Sequence, residues 1–405
     1  MLIQNRKTYL ESILEDLAGT LLAVWFWGRI TTELTTLSES LRLIAVLIFH
    51  FSRICGLLAF SFMLVPAFRN GTFLLKRTWI VLGIAILSSL GGAQSWLLEL
   101  ALLLIGLRDF NLDRIMKKLF ASLLLGTVFI LFLAAAGLIS ANAIERNDGR
   151  IRQAFGFYHP NVLGIRFFQI CSMNLFLREG KRIRFADVFI CFFLGVFVMV
   201  AAHSRTSSLF MIGLGVLAVG VLAAGAEQKR SGGTRVLERL LKLCPAGAVL
   251  IPAASVAGFL WLWRHTDSSL YEETIWSRIS QTAAYYEAYG LSFFGRELYY
   301  RKGALRSGVE RLYTLDNGYM YLLLGFGVLA FALLLSGQAL LLLKTTLEKR
   351  WMLLVILVLH MAYLVMETTP LKADCNFFLL LLADVLWMRK EEETEAKLEY
   401  IADRT

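Results

Sequence analysis

An all-α, polytopic integral membrane protein of about twelve transmembrane helices, with one large extracytoplasmic loop, is the fold class that this sequence predicts. Three observations predict it. Hydrophobic residues fill 57% of the 405 positions and mean hydropathy is +0.63, well above ordinary soluble domains. The apolar residues come in runs close to the length of a membrane-crossing helix, roughly 20 residues for a hydrocarbon core of about 30 Å. The charged residues, with a net charge of +10, collect in short groups between those runs. Nucleic-acid binders concentrate their charge in one basic stripe. Here the charge reads instead as a topology signal plus an anion site, and no nucleic-acid partner is expected.

Taken in order, the runs place spans near 12–31, 41–66, 78–92, 94–107, 119–140, 160–177, 185–203, 207–226, 244–263, 318–342, 351–367 and 374–388. The first is the weakest, because Glu11, Glu15 and Asp16 open it. Gly91 and Gly92 mark either a tight turn or a kink. Lys and Arg favour cytoplasmic loops, and with the N-terminus inside, 25 of the 41 basic residues fall on that side. Both termini are therefore expected in the cytoplasm. The chain then divides into membrane helices over 1–263, the large loop over 264–317, further helices over 318–388 and a cytoplasmic tail over 389–405. The EEETE run at 391–395 is an ordinary solvated stretch of that tail. Helical spacing from Ile275 to Tyr289 predicts an amphipathic segment lying on the outer face. The five cysteines form no CxxC pair and read as free thiols packed in helices. No small-residue cleavage site follows the first apolar run, so no removable signal peptide is expected.

The stretch Arg150–Gly164, RIRQAFGFYHPNVLG, has the densest chemistry. Ionisable side chains wedged against a span are costly, which favours a functional site. In the expected topology Arg146, Arg150, Arg152 and His159 lie outside, as do Arg205 in HisSerArgThr and the loop arginines Arg264, Arg278, Arg296, Arg301, Arg306 and Arg311. Several separate segments thus bring cations to one membrane face. The guanidinium fork suits phosphate better than an ammonium does. His159-Pro160 reads as a helix start, with His159 at or next to the cap and amide protons open to anions. Asp316, ahead of the tenth span, reads either as an N-cap or as a carboxylate able to take a proton from a hydroxyl. Glu367, at the end of the eleventh span, offers the same chemistry. The motifs HExxH, GxxxxGK[ST], GxSxG and DxD are absent from the sequence. No metal or cofactor is called for, since arginines can neutralise a departing diphosphate.

Arg152 with PheGlyPheTyrHisProAsn and Gly164, SerArgThrSer at 204–207, SerArgIle at 277–279, and AspAsnGlyTyr at 316–319 with Gly325 and Gly327 together resemble the Wzy-type polysaccharide polymerases of capsule, exopolysaccharide and O-antigen assembly. More distantly they resemble the O-antigen ligases. The resemblance covers about 150–330. It implies transfer of an undecaprenyl-diphosphate-linked oligosaccharide onto another lipid-linked repeat at the outer face of the bacterial cytoplasmic membrane, with inversion and without metal. It makes Arg152, Asn161, Arg205, Arg278 and Tyr319 substrate-binding residues, and Asp316, His159 or Glu367 the base. Where the ligases carry a histidine, this chain has Asp316. Donor and acceptor lipids, and a flippase and chain-length regulator, are the implied partners. The alternatives are a ligase that moves finished polymer to another acceptor and a flippase or transporter of lipid-linked oligosaccharide.

Overall fold

The computed structural model describes residues 2–145, 149, 151–179, 183–228, 241–265, 274–298 and 315–387. Arg146, Arg150, Arg301, Arg306, Arg311 and the 391–395 run lie outside the described residues. The described chain is helical apart from one two-stranded ribbon, and it forms two compact units. One comprises Met1–Phe73, Leu103–Gly233 and Ala373–Leu380; the other comprises Leu74–Leu102, Thr234–Lys372 and Leu381–Thr405.

The first unit is built on α1 (Leu2–Thr32), which packs along α3 (Arg42–Arg69) and α6 (Leu112–Ala135), with the short α2 (Leu37–Ser40) between the first two. The acids that weakened the first run are met by side chains and backbone at the ends of its neighbours. Glu11 pairs with Arg69 at 2.6 Å, Glu15 accepts from the Asn111 amide at 2.9 Å, and Asp16 pairs with Lys118 at 2.6 Å. Neutralising them lets α1 run on as a single long helix. After α6 come the antiparallel strands β1 (Ala143–Glu145) and β2 (Ile151–Gln153), which put Ile144 opposite Arg152. Then follow α7 (Pro160–Arg178), α8 (Phe185–Val200) and α9 (Arg205–Gln228).

Many apolar side chains point outward. On α3, Leu43, Leu47, Phe51 and Ile54 are 57–73% exposed at helical spacing, and on α8 Phe185, Phe189 and Phe193 are 55–84% exposed. Water would not tolerate such stripes, whereas lipid makes them neutral. Among the described residues five helices are long and apolar enough to cross a bilayer: Arg42–Arg69, Leu112–Ala135, Arg205–Ala223, Cys244–His265 and Gly327–Leu347. The chain is a multi-pass membrane protein.

The expected spans need correction at several points. The apolar helices Trp96–Leu107, Phe185–Val200 and Trp351–Tyr363 have 12, 16 and 13 residues. At 1.5 Å per residue they reach roughly 18–24 Å, short of a full crossing. The last expected span is a 3-10 stretch over Phe377–Leu382 followed by one α turn.

In the second unit, α4 (Lys76–Gly91) is capped by Gly92 and α5 (Trp96–Leu107) begins at Trp96, so the two glycines mark a turn and not a kink. Next come α10 (Cys244–His265, with a π turn over Ala254–Gly258), α11 (Thr274–Tyr289), α12 (Gly318–Gly325), α13 (Gly327–Leu347) and α14 (Trp351–Tyr363). Helix α11 was expected on the surface. Instead its Ala284, Tyr285 and Tyr289 are buried with Leu315, Met320, Leu323 and Leu324 in the core of this unit. Its apolar face has protein to pack on and does not need the membrane surface.

The tenth expected span is broken between α12 and α13. Gly327 has φ +89°, and the 292–296 segment lies against the break: Arg296 N donates to Leu324 O at 3.1 Å, and Val328 N to Ser292 O at 3.0 Å. Those bonds satisfy the backbone groups that the break frees, which a non-helical stretch at membrane depth requires. A Cβ at Gly327 would overlap Phe293 O, so glycine is needed both for the left-handed backbone and for the contact.

Candidate functional site

The sequence-predicted residues gather into two polar clusters, one in each unit. In the first unit, His159 caps α7 and Pro160 takes the first helical position, as the sequence implies. The cap runs through the ring: His159 Nδ1 accepts from the Asn161 amide at 3.1 Å. With Nδ1 an acceptor, the neutral ring carries its proton on Nε2 and presents a donor. Burial, and then the charge of Arg152, push the His159 pKa down to about 4, so the ring is neutral at physiological pH.

Asn161 joins the two motifs. Its Oδ1 accepts from Arg152 Nη2 at 2.9 Å and from Ser204 Oγ at 2.9 Å, and Ser204 Oγ also meets Ser207 Oγ at 3.0 Å. Gly164, one turn along α7, makes this possible. A Cβ there would overlap Ser207 Oγ and Cβ, so only glycine lets α7 and α9 close on the serine pair. Two non-glycine residues flanking the cluster, Phe155 (φ +50°) and His203 (φ +49°), adopt left-handed backbone. Strain of this kind costs on the order of 1–3 kcal/mol and collects at functional sites. Arg205 opens α9 with its side chain exposed, and it makes no hydrogen bond or ion pair among the described residues.

In the second unit, Arg278 on α11 is the centre. Nη1 donates to Met366 O at 2.8 Å, Nη2 lies 3.5 Å from Glu367 Oε1, and Nε lies 3.5 Å from Asp316 Oδ2. One guanidinium thus gathers the two carboxylates that the sequence offered as bases. Asp316 is not the cap of α12; Asn317 is. Its side chain accepts from Met320 N at 3.0 Å and from Ser255 Oγ at 3.0 Å. The competing cap releases the Asp316 carboxylate, whose side chain is 35% exposed. Burial raises its pKa, and Arg278 opposes the rise only in part. Glu367 is more deeply buried, at 9%. Tyr319 is 1% exposed, with its hydroxyl donated to Met361 O at 2.9 Å, so it packs the core and presents no hydroxyl to a ligand. Sequence reasoning missed Ser255. The signal was there, because a lone serine inside an apolar run asks for a partner, and this one sits in the π turn of α10.

A third ionic group lies inside the first unit. Arg166, fully buried on α7, donates Nη2 to Asp374 Oδ2 at 2.9 Å and Nη1 to Asp374 O, and Arg29 of α1 lies 3.5 Å from Asp374 Oδ1. Gln169, with its amide turned to match its surroundings, donates to Asp374 O and accepts from Phe377 N, both at 3.1 Å. Among the described residues no group of three His, Cys, Asp or Glu side chains could hold a metal ion. No protein-family model and no curated protein matches the sequence.

Proposed function

We propose that this chain is a membrane glycosyltransferase of the Wzy type, joining undecaprenyl-diphosphate-linked oligosaccharide repeat units at the outer face of the bacterial cytoplasmic membrane. In this reading both termini are cytoplasmic. The observation that carries it is Asp316: a carboxylate freed from capping, half-exposed, held by Arg278 and pushed toward greater basicity by burial. An acceptor hydroxyl gives its proton to Asp316 as its oxygen bonds to the anomeric carbon. The bond from that carbon to the diphosphate oxygen breaks on the opposite face, which inverts the centre. The lipid diphosphate leaves with both electrons of that bond.

Arg278 already serves two carboxylates and the Met366 carbonyl, so it organises the base. In the first unit, Arg205, Arg152 and the His159 Nε2 proton are the donors suited to a diphosphate.

The test is purified protein with a defined lipid-diphosphate repeat unit, without added metal or nucleotide, read as lengthened lipid-linked glycan. Asp316→Asn is expected to lower extension by about 10²- to 10³-fold and to leave single repeats. Arg205→Lys keeps the charge, loses the fork, and is expected to abolish polymer while inserting normally. Wild-type polymer from both variants would refute the assignment. Transfer to a non-lipid acceptor without extension would make the chain a ligase. The break at Phe326–Gly327 favours one other reading, a transporter of the same lipid, because carriers use discontinuous helices. Lipid-linked oligosaccharide crossing a vesicle bilayer with no new glycosidic bond would establish that reading.

A further inference from the structure

Helix α3 crosses from Arg42 to Arg69 and is one of the long apolar helices. Near its middle stands Arg53, 11 residues past Arg42 and 16 before Arg69, or roughly 17 and 24 Å along the axis. It does not turn into the protein. Ala45, Ser52, Cys55, Gly56, Ala59, Met63 and Ala67 form the buried face, while Arg53 is exposed beside Phe51 and Ile54, at 61% and 57%. His50, one turn earlier, is exposed on the same side. The guanidinium rests 5.0 Å from the Phe49 ring centroid, a cation–π contact that reduces the cost of the charge without supplying an anion.

A charge at the bilayer centre on a lipid-exposed face is costly and needs an anionic partner at the same depth. Either end of the apolar span lies beyond the reach of the side chain. Among the described residues, a second copy of this chain offers no exposed acid in the middle of an apolar span. No Asp or Glu among the described side chains lies exposed beyond the first turn in the five apolar spans Arg42–Arg69, Leu112–Ala135, Arg205–Ala223, Cys244–His265 and Gly327–Leu347. On the shorter helices, Glu99 has its own partner, Asp187 accepts from Asn174 and the Arg184 amide, and the exposed Glu287 lies two residues from the end of α11 and not in the middle of a span.

We propose that the lipid-facing side of α3 is a docking surface for the transmembrane helix of a different membrane protein, recognised through a carboxylate that pairs with Arg53 inside the hydrocarbon core. His50 provides a second polar contact one turn away, and the flanking Leu47, Phe51, Ile54 and Leu57 supply the apolar packing. This surface is separate from the glycosyl-transfer reading and does not depend on it.

The test uses the full chain in phosphatidylcholine vesicles with a synthetic single-span leucine-rich peptide carrying one central aspartate, and association is followed by energy transfer. The aspartate peptide is expected to bind at least about tenfold more tightly than its all-leucine counterpart. Arg53→Leu removes the difference without disturbing the fold, since the side chain faces lipid. Arg53→Glu transfers the preference to a peptide with a central lysine. Equal binding of the two peptides, or an Arg53→Leu protein that still prefers aspartate, overturns the proposal. Loss of the preference when anionic lipid is added assigns Arg53 to lipid phosphate and overturns it as well.

Discussion

Arg166 and Arg278 each hold an aspartate contributed by a distant stretch of chain, yet the two pairs differ in everything that decides chemistry. The Arg166–Asp374 pair is 0% and 1% exposed, closes at 2.9 Å and is shared with Arg29. In the Arg278–Asp316 pair the side chains are 19% and 35% exposed, the separation is 3.5 Å, and the same arginine is divided with Glu367. Residue types alone would rank them equally. Sealed ions hold the 373–380 segment to α1 and α7 and have no route to a substrate. The looser cluster costs less to form, stays open and keeps one carboxylate more basic than usual. A buried ion pair is weak evidence of activity, whereas a half-exposed one with a displaced capping role is a better candidate.

The largest expected effect tests the sealed side. Removing one partner of a buried pair leaves an uncompensated charge, at about 3–5 kcal/mol. Asp374→Asn should therefore lower the melting temperature of the detergent-solubilised protein sharply or prevent its recovery from membranes. Replacing the pair together, with Arg166→Met and Asp374→Leu, should regain most of the loss, because neither charge of the pair then has to be desolvated. If Asp374→Asn melts like wild type, the cluster is not sealed and the contrast collapses.

The sequence made local features legible and left distant ones hidden. The cap of α7 follows from His159-Pro160, because proline at the first helical position is a short-range signal. Arg166 stands out inside its span, but its partner lies 208 positions away and reads in sequence as an ordinary residue of a polar turn. Two adjacent cap-forming residues, Asp316 and Asn317, cannot be ranked locally; the Ser255 hydroxyl, 62 positions distant, favours the asparagine. Gly325 and Gly327 are conspicuous in the sequence. The break they permit depends on the 292–296 backbone arriving to satisfy the freed groups, and no periodicity encodes that arrival.

A middle-sized effect sharpens the open side. Asn317→Ala removes the α12 cap and strands Ser255, and is expected to cost about 1 kcal/mol or somewhat more. Asp316, one residue too early, cannot replace it. Recovery with Asn317→Ser but not Asn317→Ala, read by thermal melting, would confirm that capping and chemistry belong to neighbouring side chains. If Asn317→Ala has no effect while Asp316→Ala destabilises by a similar amount, the roles are reversed.

The smallest effect carries the most information about function. Because burial outweighs Arg278 and raises the Asp316 pKa above its ordinary 3.8, the fold favours the protonated carboxyl. Its contribution to stability is then fully present below the unfolded value and is lost as pH rises through the folded one. Asn imitates the neutral form at every pH. Asp316→Asn should therefore melt like wild type near pH 4 and at or slightly above it at pH 7, while glycan extension is lost at both. A carboxylate kept only for packing with Arg278 would give the opposite trend, with the variant falling below wild type as pH rises. A residue that slightly destabilises the protein at neutral pH and is required for turnover is retained for its chemistry, and melting against pH separates that case from a merely structural ion pair.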